Sequence, residues 1–171
     1  MMRRIVLAVG AALVVAPAGL ATAQASATTD AGAHVAAANW PVVRPGAKGE
    51  RVRTIQLLLN QHGAHVTVDA VFGGATTTAV KDFQSKNHLV VDGSVVAATW
   101  AKLVVKLKRG DHGDAVRALQ HQLHFQYGYK AVTVDAIFGA ATETAVKNLQ
   151  GKHRLAVDGI VGTATWQAIE A

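Results

Sequence analysis

Cysteine is absent from the 171-residue chain. Disulfide staples, thiolate metal sites and cysteine nucleophiles are therefore excluded. The usual short signatures of hydrolases are missing as well: no Gly-x-Ser-x-Gly, Ser-x-x-Lys or His-Glu-x-x-His run occurs. No block of like charge is present. The cations Arg44, Lys48, Arg51, Arg53, Lys81, Lys86, Lys102, Lys106, Lys108 and Arg109 are scattered along the chain. A scattered positive field favours acidic partners in general, but nothing resembles a base-reading motif, so nucleic acid is not an expected partner. A long apolar run occurs once, from Ile5 to Leu20, broken by Pro17. That is short for a membrane span of about 20 residues, and no stop-transfer segment follows.

That run follows Met1, Met2, Arg3 and Arg4 and precedes small residues at Ala23, Ala25 and Ala27. A charged start, an apolar middle and small-x-small sites have the layout of a secretory signal peptide. Residues 1–27 are read as that signal, with cleavage favoured after Ala27, and 28–39 as a flexible Ala/Thr leader. The processed protein is expected to be secreted and not integral to a membrane. Removal of two arginines lowers the formal charge from +6 to +4.

What remains is dominated by a repeat, which has to be sought before any other feature. Val68-Asp69-Ala70-Val71-Phe72-Gly73 recurs as Val134-Asp135-Ala136-Ile137-Phe138-Gly139, and Leu89-Val90-Val91-Asp92-Gly93 as Leu155-Ala156-Val157-Asp158-Gly159, both at offset 66. Upstream, Gly49, Val52, Ile55, Gln56 and Leu59 match Gly113, Val116, Leu119, Gln120 and Leu123 at offset 64, so copy two carries two extra residues near Gln126 to Tyr129. The copies occupy 40–103 and 104–171. Each predicts three helices. The first starts after Gly49 or Gly113 and buries Val52, Ile55 and Leu59 or their counterparts, spaced i, i+3 and i+7. The second starts near Ala75 or Ala141, with Ala79, Val80 and Phe83, or Ala145, Val146 and Leu149, facing in. The third is short and carries Trp100 or Trp166. The fold class is all-α, two tandem compact three-helix modules.

Copy two reads Gly110-Asp111-His112-Gly113, then Val116-Arg117-Ala118-Leu119-Gln120, then Asp135-Ala136-Ile137-Phe138-Gly139-Ala140-Ala141-Thr142, then Asp158-Gly159-Ile160-Val161-Gly162-Thr163-Ala164-Thr165-Trp166. This series, nearly repeated in copy one, resembles the peptidoglycan-binding-domain-like family over about residues 40–171. The resemblance implies a three-helix module that accompanies cell-wall hydrolases and binds peptidoglycan. Two departures stand out. The family's usual Asp-Gly in the first turn is Asp69-Ala70 and Asp135-Ala136 here, and Val96 stands where copy two has Gly162.

Paired aspartates can serve glycoside cleavage, but Asp69, Asp92, Asp135 and Asp158 all sit in turn contexts where a carboxylate accepts backbone N–H groups. His121 and His124 share a helix face without further ligands at metal spacing, so no metal and no cofactor is expected. The two copies account for nearly all of the chain after the leader, which predicts a non-enzyme. The expected role is a secreted, wall-associated protein that binds peptidoglycan or another wall polymer. The alternatives are an accessory subunit that docks on a separate wall hydrolase, and an unrecognised hydrolase. Candidate ligand-binding residues are Phe125, Tyr127 and Tyr129 as rings, Gln84, Gln120 and Gln150 as amide donors and acceptors, and Asp69 and Asp135. Trp40 is a further unassigned ring. Because copy one lacks the rings and Gly162, copy two is expected to be the principal binder.

Overall fold

The computed structural model describes residues 40–171. The signal peptide and leader expected within 1–39 lie outside the described residues. Six α-helices follow in order: α1 (Glu50–Gln61), α2 (Gly74–Lys86), α3 (Ala97–Leu103), α4 (Asp114–His121), α5 (Ala140–Lys152) and α6 (Thr163–Glu170). A π-helical turn, Gln122–Gln126, prolongs α4. The all-α architecture expected from the repeat is present, with α1 to α3 in the first module and α4 to α6 in the second. Isolated bridges join the loops in matching places, Val43 with Val95 and Leu107 with Val161, Lys48 with Val71 and His112 with Ile137.

The helix starts follow local chemistry. Gly49 and Gly113 precede α1 and α4 at φ 109° and 111°, a conformation that a side chain disfavours. Glu50 and Asp114 then occupy the first turn, where a carboxylate suits the helix dipole. The predicted apolar faces are buried, and Trp100 and Trp166 are fully enclosed. Each indole closes its module on its own lead-in: Trp100 Nε1 donates to Pro41 O at 2.8 Å and Trp166 Nε1 to Val105 O at 2.8 Å. Trp40 is not a free ring. It stacks on Trp100 with centroids 5.2 Å apart and planes 10° apart, and is 7% exposed.

The two departures from the family pattern have different weights. Ala70 and Ala136 take the left-handed conformation, φ 60° and 63°, which explains why glycine suits that position. Val96 and Gly162 both have ordinary extended backbone, φ −108° and −95°. Any residue adopts it, so Val96 leaves the turn of copy one unaltered and does not set that copy apart.

The first helix of each module is buried on two faces. Beside the predicted Val52, Ile55 and Leu59, the structure buries Thr54, Leu57 and Leu58. This second face meets the other module. Gln61 Oε1 accepts the Ala115 N–H at 3.1 Å, so the end of α1 meets the start of α4. At the opposite end His121 Nδ1 lies 3.6 Å from Glu50 Oε2. The helices therefore pack antiparallel. Between these ends the buried Gln122 amide donates to Thr54 Oγ1 at 2.9 Å and to Glu170 Oε1 at 3.0 Å. Arg51 reaches across to α6, donating to Glu170 O at 2.6 Å and Ala171 O at 3.2 Å, a cation on the orphan carbonyls of a helix C-terminus.

Candidate functional site

The candidate glutamines and aspartates form one arrangement that occurs four times. Gln56 Nε2 donates to Asp69 Oδ1 at 2.7 Å, to Val71 O at 3.1 Å and to Thr76 Oγ1 at 3.1 Å, while its Oε1 accepts the Ala70 N–H at 2.9 Å. Asp69 Oδ1 also accepts the Val71 N–H at 2.9 Å. Gln84 with Asp92 and Thr99, Gln120 with Asp135 and Thr142, and Gln150 with Asp158 and Thr165 repeat it. All four glutamines are 1% exposed. Helix α2 thus takes part twice in the first module, lending Thr76 to the cluster of α1 and Gln84 to that of α3. The clusters pin both interhelical turns of each module.

This placement corrects the expectation that Gln84, Gln120 and Gln150 offer their amides to a ligand. Both ends of each amide are bonded inside the protein, and releasing one would strand buried N–H and C=O groups. Asp69 and Asp135 each use Oδ1 to hold their own turn. The Gln56 amide, with the Val71 N–H, holds Asp69 below the usual carboxylate range. At Asp92, Asp135 and Asp158 the N–H groups of Ser94, Ile137 and Ile160 act first and the glutamines second, in the same direction. Carboxylates stabilised as anions are poor proton donors.

The three rings separate. Tyr127 is half-buried and its hydroxyl donates to Ala168 O at 2.8 Å and Ile169 O at 3.1 Å. His62 does the same for the first module, its Nε2 lying 2.9 Å from Leu103 O. Tyr127 is thus a tether to the third helix and not an open platform. Phe125 is 57% exposed, stacked on His121 at 5.3 Å and flanked by His124 at 4.6 Å. Tyr129 lies in a groove, with Lys152 Nζ 5.1 Å from its ring centroid. No group of three or more metal-ligating side chains occurs among the described residues.

That groove has a counterpart in the other module. In the first, a concavity of about 520 Å³ opens between α2 and the 62–67 loop, lined by His62, His65, Thr78, Asp82, Phe83 and Lys86 among others. In the second, a concavity of about 400 Å³ lies in the same place, lined by Tyr129, Lys130, Val132, Thr144 and Asn148. Asn60 holds the first loop through Val66, with bonds of 2.9 and 2.6 Å. His124, the matching residue, holds the second through Val132 O at 2.7 Å. The sequence reading missed Thr78, Asp82 and Lys86. Their spacing of i, i+4 and i+8 on α2, echoed by Thr144, Asn148 and Lys152, marks a polar stripe that could have been found. The larger groove belongs to copy one, although it has no tyrosine.

Comparison with known proteins follows the same division. A family model described as "Putative peptidoglycan binding domain" matches residues 48–103 and again 112–169. The zinc D-Ala-D-Ala carboxypeptidase of Streptomyces albus G is 38% identical over 102 residues, covering 56% of this chain and 40% of that protein. The N-acetylmuramoyl-L-alanine amidase CwlL of Bacillus licheniformis is 27% identical over 173 residues, covering 82% and 48%. The chain spans about half or less of the length of these curated relatives. A solved peptidoglycan-binding protein from Clostridioides difficile, in complex with glutamine hydroxamate, is 41% identical over 37% of this chain and 40% of that one, with a TM-score of 0.36. The chain belongs to the peptidoglycan-binding domain family and carries two copies of its domain in tandem.

Proposed function

We propose that the protein is an exported, non-catalytic binder of wall peptidoglycan, and that the groove between the second helix and the loop after the first helix is the contact surface in each module. One observation carries this reading: the same concavity recurs at the same place in both copies, built on an apolar floor and rimmed by polar side chains not used in the four turn clusters. Such a surface suits a ligand with short apolar groups and many polar ones. No reaction is assigned to it. The aspartates that could have served acid–base chemistry are bound to backbone N–H groups and glutamines.

Cosedimentation of the full chain with insoluble sacculi tests the reading. The wild type is expected to pellet with them, and Thr78→Trp combined with Thr144→Trp, which fills both grooves at exposed positions, is expected to remain in solution. Absence of wild-type binding would refute the reading and favour docking on a separate wall hydrolase. Sugar or peptide released from sacculi by the purified protein would refute its non-catalytic part.

A further inference from the structure

We infer that the chain is a bivalent bridge: its two grooves are held at opposite ends of a fixed helix pair and grip stem peptides on two different strands of wall polymer. The inference rests on the groove reading above and adds to it the relation between the grooves.

The relation follows from three contacts. Each groove loop is fastened to the C-terminal end of the first helix of its module, by Asn60 to Val66 and by His124 to Val132. The two first helices run antiparallel, since Gln61 meets Ala115 at one end and Glu50 meets His121 at the other. The loops are therefore carried to opposite ends of the pair, offset along its axis by about 18 Å for a helix of this length. Two copies joined by like helices in antiparallel contact are related by an approximate two-fold axis.

The relation is also stiff. Thr54, Gln122 and Glu170 are buried where the modules meet and bond to one another, with Leu57 and Leu58 buried beside them on α1. A swinging module would expose these groups. A fixed spacing engages two sites at once only where their separation matches it, a condition that the bridge assigns to stem peptides on neighbouring strands.

Charge complementarity identifies the occupant. The first groove offers Lys86 and Asp82 beside Phe83, and among the described residues neither charge takes part in an ion pair within 4.0 Å. The second has Lys152 Nζ 5.1 Å from the Tyr129 ring centroid, and Lys130 beside Val132 with its Nζ donating to His124 O at 3.4 Å. A cation beside apolar surface fits a peptide with a carboxylate and short aliphatic side chains. It fits an uncharged glycan face less well.

Titration calorimetry with soluble disaccharide-peptide fragments, and clumping of beads coated with them, tests the bridge. The full chain is expected to bind two fragments and to clump the beads. Thr78→Trp and Thr144→Trp are each expected to reduce the stoichiometry to one and abolish clumping, and the pair to abolish binding. Lys86→Glu and Lys130→Glu serve the same purpose should a tryptophan variant lose its helical circular dichroism. A wild-type stoichiometry of one, or two without clumping, would overturn the bridge even if sacculi are bound. Equal binding of peptide-free glycan strands would overturn the peptide as occupant. Failure of the wild type to bind either sacculi or fragments would instead remove the underlying groove reading.

Discussion

Arg51 of the first module and Glu170 of the second meet at 3.5 Å between Nε and Oε2, with the Glu170 side chain fully enclosed. Burial is the largest influence on that carboxyl. It outweighs Arg51, Thr54 and Gln122 and raises the pKa from 4.5 to about 7. In the unfolded chain Glu170 gives up its proton near 4.5, while the folded chain keeps it to about 7. The folded state therefore binds more protons across that interval, and stability falls as pH rises through it. The contribution is at most about 3 kcal/mol. His121, whose pKa is lowered chiefly by burial, acts in the opposite direction in this range, so Glu170 is read from a pair: the melting temperature of the wild type minus that of Glu170→Gln is expected to fall between pH 5 and pH 8. A difference that stays constant or rises over that range would contradict this.

The buried glutamines define the second prediction. Gln150→Ala leaves the Gly159 N–H and Ile160 O without their partner. The cost is expected to be roughly 2–4 kcal/mol, read from the shift in urea midpoint at constant slope. A loss of sacculus binding without loss of stability would return Gln150 to the ligand site.

Tyr127→Phe removes the hydroxyl whose one proton is shared between Ala168 O and Ile169 O at the end of α6, but keeps the ring. It is expected to lower stability by about 1 kcal/mol and to leave wall binding unchanged. Sedimentation with sacculi alongside chemical denaturation separates the two effects. Weakened binding at unchanged stability would make Tyr127 a contact residue after all.

Ala136→Gly relieves a left-handed alanine. The relief is about 1–2 kcal/mol, partly offset by the freer unfolded chain. A net gain of up to about 1 kcal/mol is expected, seen as a raised urea midpoint. The same change at Ala70 should behave alike, because the two turns are held by equivalent clusters.

Gln61→Ala removes the acceptor at the first turn of α4. The loss is expected to be about 1 kcal/mol, the size of a helix cap, and to appear as faster amide exchange at Ala115. Unchanged exchange there would show that Gln61 does not hold the modules together.

By itself the sequence determined the two copies, the three helices in each, the inward tryptophans and the turn role of the aspartates. Those features are local or periodic, and the repeat, at offset 64 and then 66, presents each signal twice. The Asp-to-Thr spacing of seven residues in all four turns was legible too. What the tertiary structure alone decided was the fate of polar and aromatic side chains, because an amide, a ring or a hydroxyl reads the same whether it faces water or the core. Gln84, Gln120 and Gln150 are turned inward by partners brought close only on folding, Tyr127 is tied to a helix 41 residues away, and Trp40 is stacked on Trp100. The second apolar face of α1 was hidden for a related reason. Thr54, Leu57 and Leu58 correspond to Ala118 and His121 in α4 and Gln122 in the π-helical turn after it, so the face that joins the modules pairs unlike side chains, and only their antiparallel contact shows that it is buried.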